Sequence, residues 1–211
     1  TTPSAGMITA VKAAVRIPVF VIVRPRGGGF VYAEHELGVM RLDIEASRML
    51  GADGVVVGAL TPRNTVDEEQ LRLLMDAAGD LPVTFHRAFD LVRDQAQGLE
   101  ALMRLGVARV LTSGGAPTAI EGASSCAAVV RRAAGQLTIM AGGGVREETV
   151  QELVHRAGVR EVHVRGTRVA RSPGQGDMDG PRLRKPFPDD ESAWEETDEG
   201  RIREFVRLAN G

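Results

Sequence analysis

The feature that most constrains this chain is a repeated unit of a short apolar run, a polar or glycine-rich loop and a segment with helical spacing of apolar residues. The apolar runs begin near residues 18, 54, 82, 108, 137 and 160. Runs such as PVFVIVR (18–24) are apolar at consecutive positions, which is typical of strands covered by helices on both faces. The alternation of strands and helices predicts an α/β fold with a parallel sheet and right-handed crossovers.

Length and composition narrow the classes of protein. The chain has 211 residues and 43% hydrophobic residues, which predicts one domain over residues 1–211 with a sizeable core. Its net charge of −2 gives no basic field for nucleic acid, and it contains no apolar run long enough for a membrane span. The polar stretch 172–200 is expected to be irregular, and the spacing of apolar residues predicts a closing helix over 201–210.

The third unit carries the densest chemistry. The run PVTFHRAFD (82–90) begins as a buried strand and ends on His86, Arg87 and Asp90. Polar groups at the end of a strand, just before a helix, mark the place where α/β proteins hold their sites. His86 and Asp90 are therefore catalytic candidates, with His86 as proton donor or acceptor near neutral pH. Asp90 either orients His86 or pairs with Arg87, and the simplest alternative is an ordinary polar turn.

Other strand exits add candidate ligand-binding residues. In a parallel sheet all these exits lie at one end, so we expect a site for a small anion there. The loop at Gly142 leads to a predicted helix start at Arg146, where free N–H groups and the helix dipole favour negative charge. A tight turn is the alternative explanation for that loop. The ligand-binding candidates are Arg24, Arg26, Arg87, Thr112, Ser113, Gly142, Gly143, Gly144 and Arg165.

The chain has a single cysteine, Cys126, so no intrachain disulfide can form. A reducing compartment is consistent with that count. Cys126 lies on an apolar helical stripe, which favours packing over reactivity. No spacing of histidines, cysteines and carboxylates matches a closed zinc site, and the residues alone assign no metal ligands.

Five motifs resemble the CutC copper-homeostasis proteins: FVIVRPRGG (20–28), GADGVVVGAL (51–60), LPVTFHRAFD (81–90), RVLTSGG (109–115) and MAGGGV (140–145). The resemblance spans residues 1–166 in the same order. It implies a cytoplasmic TIM-type (β/α) barrel that forms homo-oligomers and is linked to copper. It also implies Cu(I) binding through cysteines, and it settles no enzymatic reaction.

Two departures from the family pattern limit what the resemblance implies. A barrel of this type has eight strands, whereas six are predicted here, and the first two strands of the family barrel have no counterpart. The cysteine that the family carries at the end of its second strand is missing with them. Thiolates are the ligands that select Cu(I), so only Cys126 is left to provide one.

Three interpretations follow. The first is a CutC-type copper-homeostasis protein in the cytosol that binds copper ions. The second is a barrel enzyme that acts on an anionic or phosphorylated small molecule, with His86 in acid–base catalysis and the arginines as clamps. The third is a shortened product that keeps the motifs of the fold and has lost the function.

Overall fold

The computed structural model describes residues 1–171 and 193–211. Its centre is a sheet of six parallel strands that are neighbours in the same order as in the sequence. The strands are β1 (Phe20–Ile22), β2 (Gly54–Val57), β3 (Val83–Phe85), β4 (Arg109–Thr112), β5 (Thr138–Gly142) and β6 (Glu161–His163). The predicted α/β class is confirmed. Most of the strands are shorter than the apolar runs from which they were predicted.

Helices connect successive strands of the sheet, because parallel pairing requires crossover connections. A short 3₁₀ helix, Arg87–Leu91, directly follows β3. The α-helices are α1 (Ala5–Ala14), α2 (Glu34–Met49), α3 (Glu68–Ala78), α4 (Gln95–Leu105), α5 (Ala123–Ala133), α6 (Val150–Ala157) and α7 (Glu199–Asn210). None of the helices among the described residues is both long and apolar enough to cross a bilayer.

The six strands curl into an open half-barrel, which confirms the predicted incomplete TIM-type barrel. Parallel register holds throughout, from Phe20 opposite Gly54 at one end of the sheet to Gly142 opposite His163 at the other. Among the described residues, β1 and β6 each pair with one neighbouring strand only. The carboxyl ends of all six strands therefore lie along one curved rim.

The core lies between the sheet and its helices. Helix α4 shows why the sequence folds this way: Asp94 caps its first turn, and Gly106 ends it in a left-handed conformation. Between these two residues, Leu99 and Leu102 are fully buried in the hydrophobic core. Each such leucine contributes about 1.5–3 kcal/mol through removal of apolar surface from water.

Asp53 fixes the start of the first strand pair. Its Oδ2 accepts hydrogen bonds from Lys12 Nζ at 2.6 Å and from the backbone N–H of Val19 at 2.7 Å. These two bonds, together with the lysine charge, lower the pKa of the Asp53 carboxyl. One carboxylate thus joins α1, the chain entering β1 and the chain entering β2.

The C-terminal part differs from the sequence prediction. Of the segment 172–200, which was predicted to be irregular, residues 172–192 lie outside the described part of the chain. The following residues form a strand, β8 (Ala193–Thr197), that pairs antiparallel with β7 (Thr167–Arg171). Cross-strand charge pairs such as Arg168 with Glu196 compensate for the polar composition that suggested a loop.

The closing helix begins at Glu199 rather than at residue 201, because the Asp198 side chain caps it by accepting from the backbone N–H of Arg201 at 2.9 Å. Phe205 packs this helix into the structure and is almost fully buried. The assignment of all 211 residues to one domain stays a prediction.

We expect the open sheet edges to drive self-association, because an unpaired strand exposes N–H and C=O groups to other chains. Ile22 of β1 has an exposed fraction of 36%, and an Ile22→Lys substitution should shift the oligomer towards monomer. Light scattering after size-exclusion chromatography measures this shift. The control is Ile17→Lys, which adds the same charge at a residue that is 70% exposed and lies outside the strand. A parent chain that is monomeric at all concentrations would contradict the prediction.

Candidate functional site

The predicted site residues lie at the carboxyl ends of the strands, but they form two groups. The first group, which we call the Asp90 cluster, consists of Arg87, Asp90, Thr112 and Ser113 beside the loop after β5. The second group, which we call the Arg24 cluster, lies at the exits of β1, β2 and β3, and its members are Arg24, Phe30, Tyr32, Gly58 and His86. Adjacent residues of one motif, His86 and Arg87, thus serve different clusters.

Asp90 is saturated with hydrogen bonds. Its Oδ1 accepts from Thr112 Oγ1 at 2.5 Å, from Ser113 N at 2.9 Å and from Gly115 N at 3.2 Å. Its Oδ2 accepts from Arg87 Nε at 2.7 Å and lies 3.0 Å from Ser113 Oγ. A carboxylate with this many donors binds the 3₁₀ helix to the exit of β4.

Asp90 therefore has the simpler of its two predicted roles. It pairs with Arg87, and no hydrogen bond joins it to His86. Its side chain is almost completely buried, and its oxygen atoms are occupied by protein donors. The prediction of Asp90 as a catalytic residue is not supported by this geometry, which makes it a positioning residue for Arg87, Thr112 and Ser113.

The glycine loop makes room for neighbouring side chains. A Cβ at Gly143 would lie 2.9 Å from Cζ of Arg87, and one at Gly142 would lie 2.6 Å from Cδ1 of Leu111. Gly144 is similarly close to Thr118, at 2.9 Å from its Cγ2. The guanidinium of Arg87, held by Asp90 and by Ser113 Oγ at 2.8 Å, therefore lies directly against the loop backbone.

The helix after this loop does not start where it was predicted to start. Helix α6 begins at Val150 rather than at Arg146, and the turn before it contains Glu147 and Glu148. Glu147 of this turn forms an ion pair with Arg201 of α7 and does not cap the helix. The predicted helix start at Arg146 is therefore wrong, whereas anion binding by the glycine loop stays a prediction beside the tight-turn explanation.

Two of the predicted arginines are engaged elsewhere. Arg26 pairs with Glu36 and donates from Nη1 to Gly29 O at 3.0 Å and from Nη2 to Val31 O at 3.0 Å. Its guanidinium therefore braces its own loop. Arg165 is exposed and pairs with Glu195 of β8 at 2.5 Å. The structure does not support either side chain as part of a ligand site.

Arg24, unlike Arg26 and Arg165, has no carboxylate partner among the described residues. Its backbone is fixed by Thr2, whose N–H donates to Arg24 O at 3.0 Å and whose Oγ1 accepts from Arg24 N at 3.0 Å. Its Nη2 donates to Gly28 O at 2.6 Å, and its Cζ lies 4.8 Å from the centre of the Phe30 ring. Its Nε is buried without a hydrogen-bond partner.

No carboxylate among the described residues lies within ion-pair distance of Arg24. This distinguishes Arg24 from Arg109, which also covers a phenylalanine ring but forms an ion pair with Glu161. A partly buried cation without a partner is costly, so such a charge favours an anionic ligand.

His86 is buried, with an exposed fraction of 5%. Its Nδ1 accepts from the backbone N–H of Ala88 at 3.1 Å, which assigns the proton of the neutral ring to Nε2. That Nε2 is buried and has no partner among the described residues. The ring lies so close to Gly58 that a Cβ there would be 2.3 Å from its Cε1.

Burial, together with the positive charge of Arg24, lowers the pKa of His86 to about 4. The imidazole is therefore neutral at pH 7. The ordinary pKa that was assumed for His86 does not hold in this geometry, and its catalytic role stays a prediction. The neutral ring presents a buried N–H donor.

Tyr32 belongs to the Arg24 cluster, and sequence reasoning missed it. Its exposed fraction is 4%, and its buried hydroxyl lies beside the Arg24 side chain without a hydrogen bond of standard geometry. Burial raises the pKa of this hydroxyl, while the charges of Arg24 and Arg26 partly oppose the rise. Tyr32 lies in the loop after the glycines, outside any strand. Its only signal in the sequence is an aromatic residue, like Phe30, next to a basic loop.

The described residues contain no group of three or more histidines, cysteines and carboxylates that could hold a metal ion. Cys126 is fully buried on α5, and burial and the charge of Asp90 raise the pKa of its thiol to about 11. It is therefore a protonated packing residue, as the sequence indicated. The donor set that Cu(I) requires is not formed by these residues.

Comparison with known proteins agrees with the motifs. The model of the CutC family matches residues 1–168. The chain belongs to the CutC family. A CutC family protein of Xylella fastidiosa is 43% identical over 98% of this chain and 75% of its own length. The human copper homeostasis protein cutC homolog is 45% identical over 77% of this chain, and the match covers 60% of the human protein.

Solved structures place the fold of this CutC-family chain in the same group. A Streptococcus agalactiae protein named as copper homeostasis protein CutC has a TM-score of 0.75 and 38% identity, with 77% of this chain and 81% of that chain covered. An aldolase called QR15 has a TM-score of 0.59 at 16% identity over 75% of this chain and 73% of its own, and this likeness concerns the fold alone.

The buried His86 should make stability depend on pH. The folded chain keeps the ring neutral down to about pH 4, whereas the unfolded chain takes up the proton near pH 6.5. The unfolded state therefore binds more protons below pH 6.5, so the free energy of unfolding falls as the pH decreases towards 4. One such group removes about 2 kcal/mol between pH 7 and pH 5. Urea unfolding at both pH values measures the loss.

A His86→Gln substitution should reduce this pH dependence. His163 acts in the same direction, because partial desolvation and the charge of Arg87 lower its pKa, so His163→Gln is measured separately. The exposed His155 on α6 provides the control His155→Gln. An equal loss of stability in the parent and in folded His86→Gln would contradict the assignment.

Proposed function

We propose that this CutC-family chain binds a small anionic molecule at the carboxyl end of its sheet. The human relative is named for copper homeostasis. In this proposal, any role of the present chain in copper homeostasis depends on the anion that it binds. Binding of copper itself is weak in this proposal. We further propose that the protein acts in the cytosol as a homo-oligomer, which its single cysteine and its open sheet edges favour.

The unpaired charge of Arg24 is the observation that supports this function. Thr2 fixes its backbone, Gly28 O accepts from its guanidinium, and no acidic partner lies near it among the described residues. Arg87 adds a second, half-exposed guanidinium at the same end of the sheet, although Asp90 already neutralises it. Arginine binds carboxylate and phosphate through directed, charge-assisted hydrogen bonds, and these are stronger than neutral ones.

The sequence predicted both acid–base catalysis and anion binding at this rim, and the proposed function includes only anion binding. His86 stays neutral at pH 7, so it has no acidic proton to give, and its Nδ1 lone pair already accepts from Ala88, which leaves Nε2–H as a hydrogen-bond donor. Ligand recognition by Arg24 and His86 therefore replaces acid–base chemistry by His86 and Asp90. The substrate class of the alternative hypothesis, an anionic or phosphorylated small molecule, is retained.

We expect phosphate to raise the melting temperature of the chain, because a ligand that binds only the folded state stabilises it. An Arg24→Gln substitution should reduce the binding free energy by about 1.5–3 kcal/mol, the usual contribution of a hydrogen bond to a charged group. Calorimetric titration of phosphate measures this difference. Arg41→Gln removes the same charge from an exposed position on α2 and should bind like the parent. Equal binding by Arg24→Gln would show that the site does not use this residue.

Copper binding should not depend on Cys126. The thiol is fully buried and protonated, and a single soft ligand does not select Cu(I). In a Cu(I) competition titration with a colorimetric chelator, Cys126→Ser should retain whatever affinity the parent chain has. Melting curves confirm that the variant is folded. Tight stoichiometric Cu(I) binding that disappears in folded Cys126→Ser would overturn this expectation.

A further inference from the structure

We infer that the Arg24 cluster is a covered subsite for the oxyanion group of a small molecule. Arg24 Nε–H, His86 Nε2–H and the Tyr32 hydroxyl donate to the ligand, and the Phe30 ring is the cover that turns aside to admit it. This inference rests on the proposed function. It adds which atoms donate hydrogen bonds, which chemical group of the ligand accepts them, and which side chain moves to admit the ligand.

Of the four buried side-chain polar atoms without a partner among the described residues, three belong to the Arg24 cluster, and the fourth is Gln70 Oε1. Buried polar groups normally find a partner, and each exception requires an explanation. Arg24 Nε, Tyr32 Oη and His86 Nε2 are all buried without one. The side chains of Tyr32 and His86 are both more than nine-tenths buried.

Phe30 and Arg24 join the three atoms in space. The Phe30 ring centre lies 4.8 Å from Cζ of Arg24 and 4.7 Å from the ring centre of His86. The Arg24 charge acts electrostatically on both His86 and Tyr32, so the guanidinium lies near each of them. Arg24 therefore lies beside both His86 and Tyr32, and the Phe30 ring lies against Arg24 and His86.

The chemistry of these atoms defines the ligand. Arg24 Nε–H and His86 Nε2–H can only donate, and the Tyr32 hydroxyl can donate as well. A group that only accepts hydrogen bonds and carries negative charge satisfies all three and balances the guanidinium. Carboxylate and phosphate oxygens share that chemistry, whereas a cation or an amine would be repelled by Arg24.

The structure also indicates which part moves. The backbone at Phe30 is fixed, because its C=O accepts from Leu60 N at 2.8 Å and Arg26 bonds to the carbonyls on both sides, Gly29 and Val31. The side chain is only partly buried, so part of Phe30 is accessible to solvent. Rotation about the side-chain bonds of Phe30 therefore opens the cluster without unfolding the loop.

The site depends on Gly58 for its shape. A side chain there would overlap Cε1 and Nδ1 of His86, at 2.3 and 2.5 Å. Without a Cβ at this position, the ring can lie flat against β2 and keep Nδ1 on the backbone N–H of Ala88. This contact fixes the tautomer and directs the remaining N–H away from Ala88.

Titration of the full 211-residue chain with inorganic phosphate and, separately, with acetate tests the subsite. Tyr32→Phe and His86→Phe each remove one donor and should weaken binding of the preferred anion about tenfold or more. Phe30→Ala should raise the association rate constant at least about tenfold, since the cover is gone. Calorimetry gives the affinities, and NMR exchange measurements give the rates.

Phe20→Ala is the matched control for Phe30→Ala. The Phe20 ring faces Arg109 with the same ring-to-Cζ distance of 4.8 Å, but it lies at the amino end of the strands and its arginine is paired with Glu161. This variant should leave both the affinity and the association rate unchanged. Tyr32→Phe removes a single oxygen atom and keeps the ring, so it tests the subsite even if His86→Phe fails to fold.

The outcomes separate this inference from the proposed function. If Arg24→Gln abolishes binding while Tyr32→Phe and Phe30→Ala behave like the parent, the anion binds Arg24 without the buried donors and without displacement of Phe30, and the subsite is wrong. If the folded parent binds neither anion, the subsite and the proposed function are both wrong. Loss of affinity in Tyr32→Phe together with faster association in Phe30→Ala supports the subsite, and the preferred anion identifies the ligand as a carboxylate or a phosphate.

Discussion

Parallel pairing of the six strands is the constraint on which the rest of this structure depends. Because every strand runs in the same direction, each connection must return along a helix, and each carboxyl end opens on the same rim. The chain therefore collects residues far apart in sequence, such as Arg24, His86 and Ser113, at one end of the sheet. The core supports this arrangement through buried apolar side chains on the strands and on the covering helices.

The two clusters on that rim use polar groups in opposite ways. In the Asp90 cluster every carboxylate oxygen is occupied by donors from three parts of the chain, so the cluster is a closed structural joint. In the Arg24 cluster, by contrast, a guanidinium nitrogen, a hydroxyl and an imidazole nitrogen are buried without partners. Satisfied polar groups rigidify a fold, whereas unsatisfied ones cost stability and tend to persist where a ligand completes them. This difference favours the Arg24 cluster as the functional part of the rim.

The family assignment and the site complement each other. Membership in the CutC family connects the chain with relatives named for copper homeostasis, and the match covers three-quarters of the Xylella protein and a smaller share of the human one. The described residues of this chain do not assemble the soft ligands that Cu(I) prefers, because the only thiol is buried in the core. The residues of the rim therefore fit binding of anionic oxygen atoms by arginine better than binding of Cu(I) by thiolates.

The sequence by itself determined the fold class, the strand order and the family, because repeated apolar runs, glycine-ended helices and the motif around His86 are local signals. It also indicated that Cys126 packs in the core. Only the tertiary structure decided which partners each polar residue bonds to. Asp90 bonds to Arg87, Thr112 and Ser113 rather than to His86, Arg26 braces its own loop against Glu36, and Tyr32 joins the site from a loop without regular structure. Hydrogen bonds and burial depend on the distances between elements, and those distances are set by how the sheet curls and not by the order of residues in any one motif.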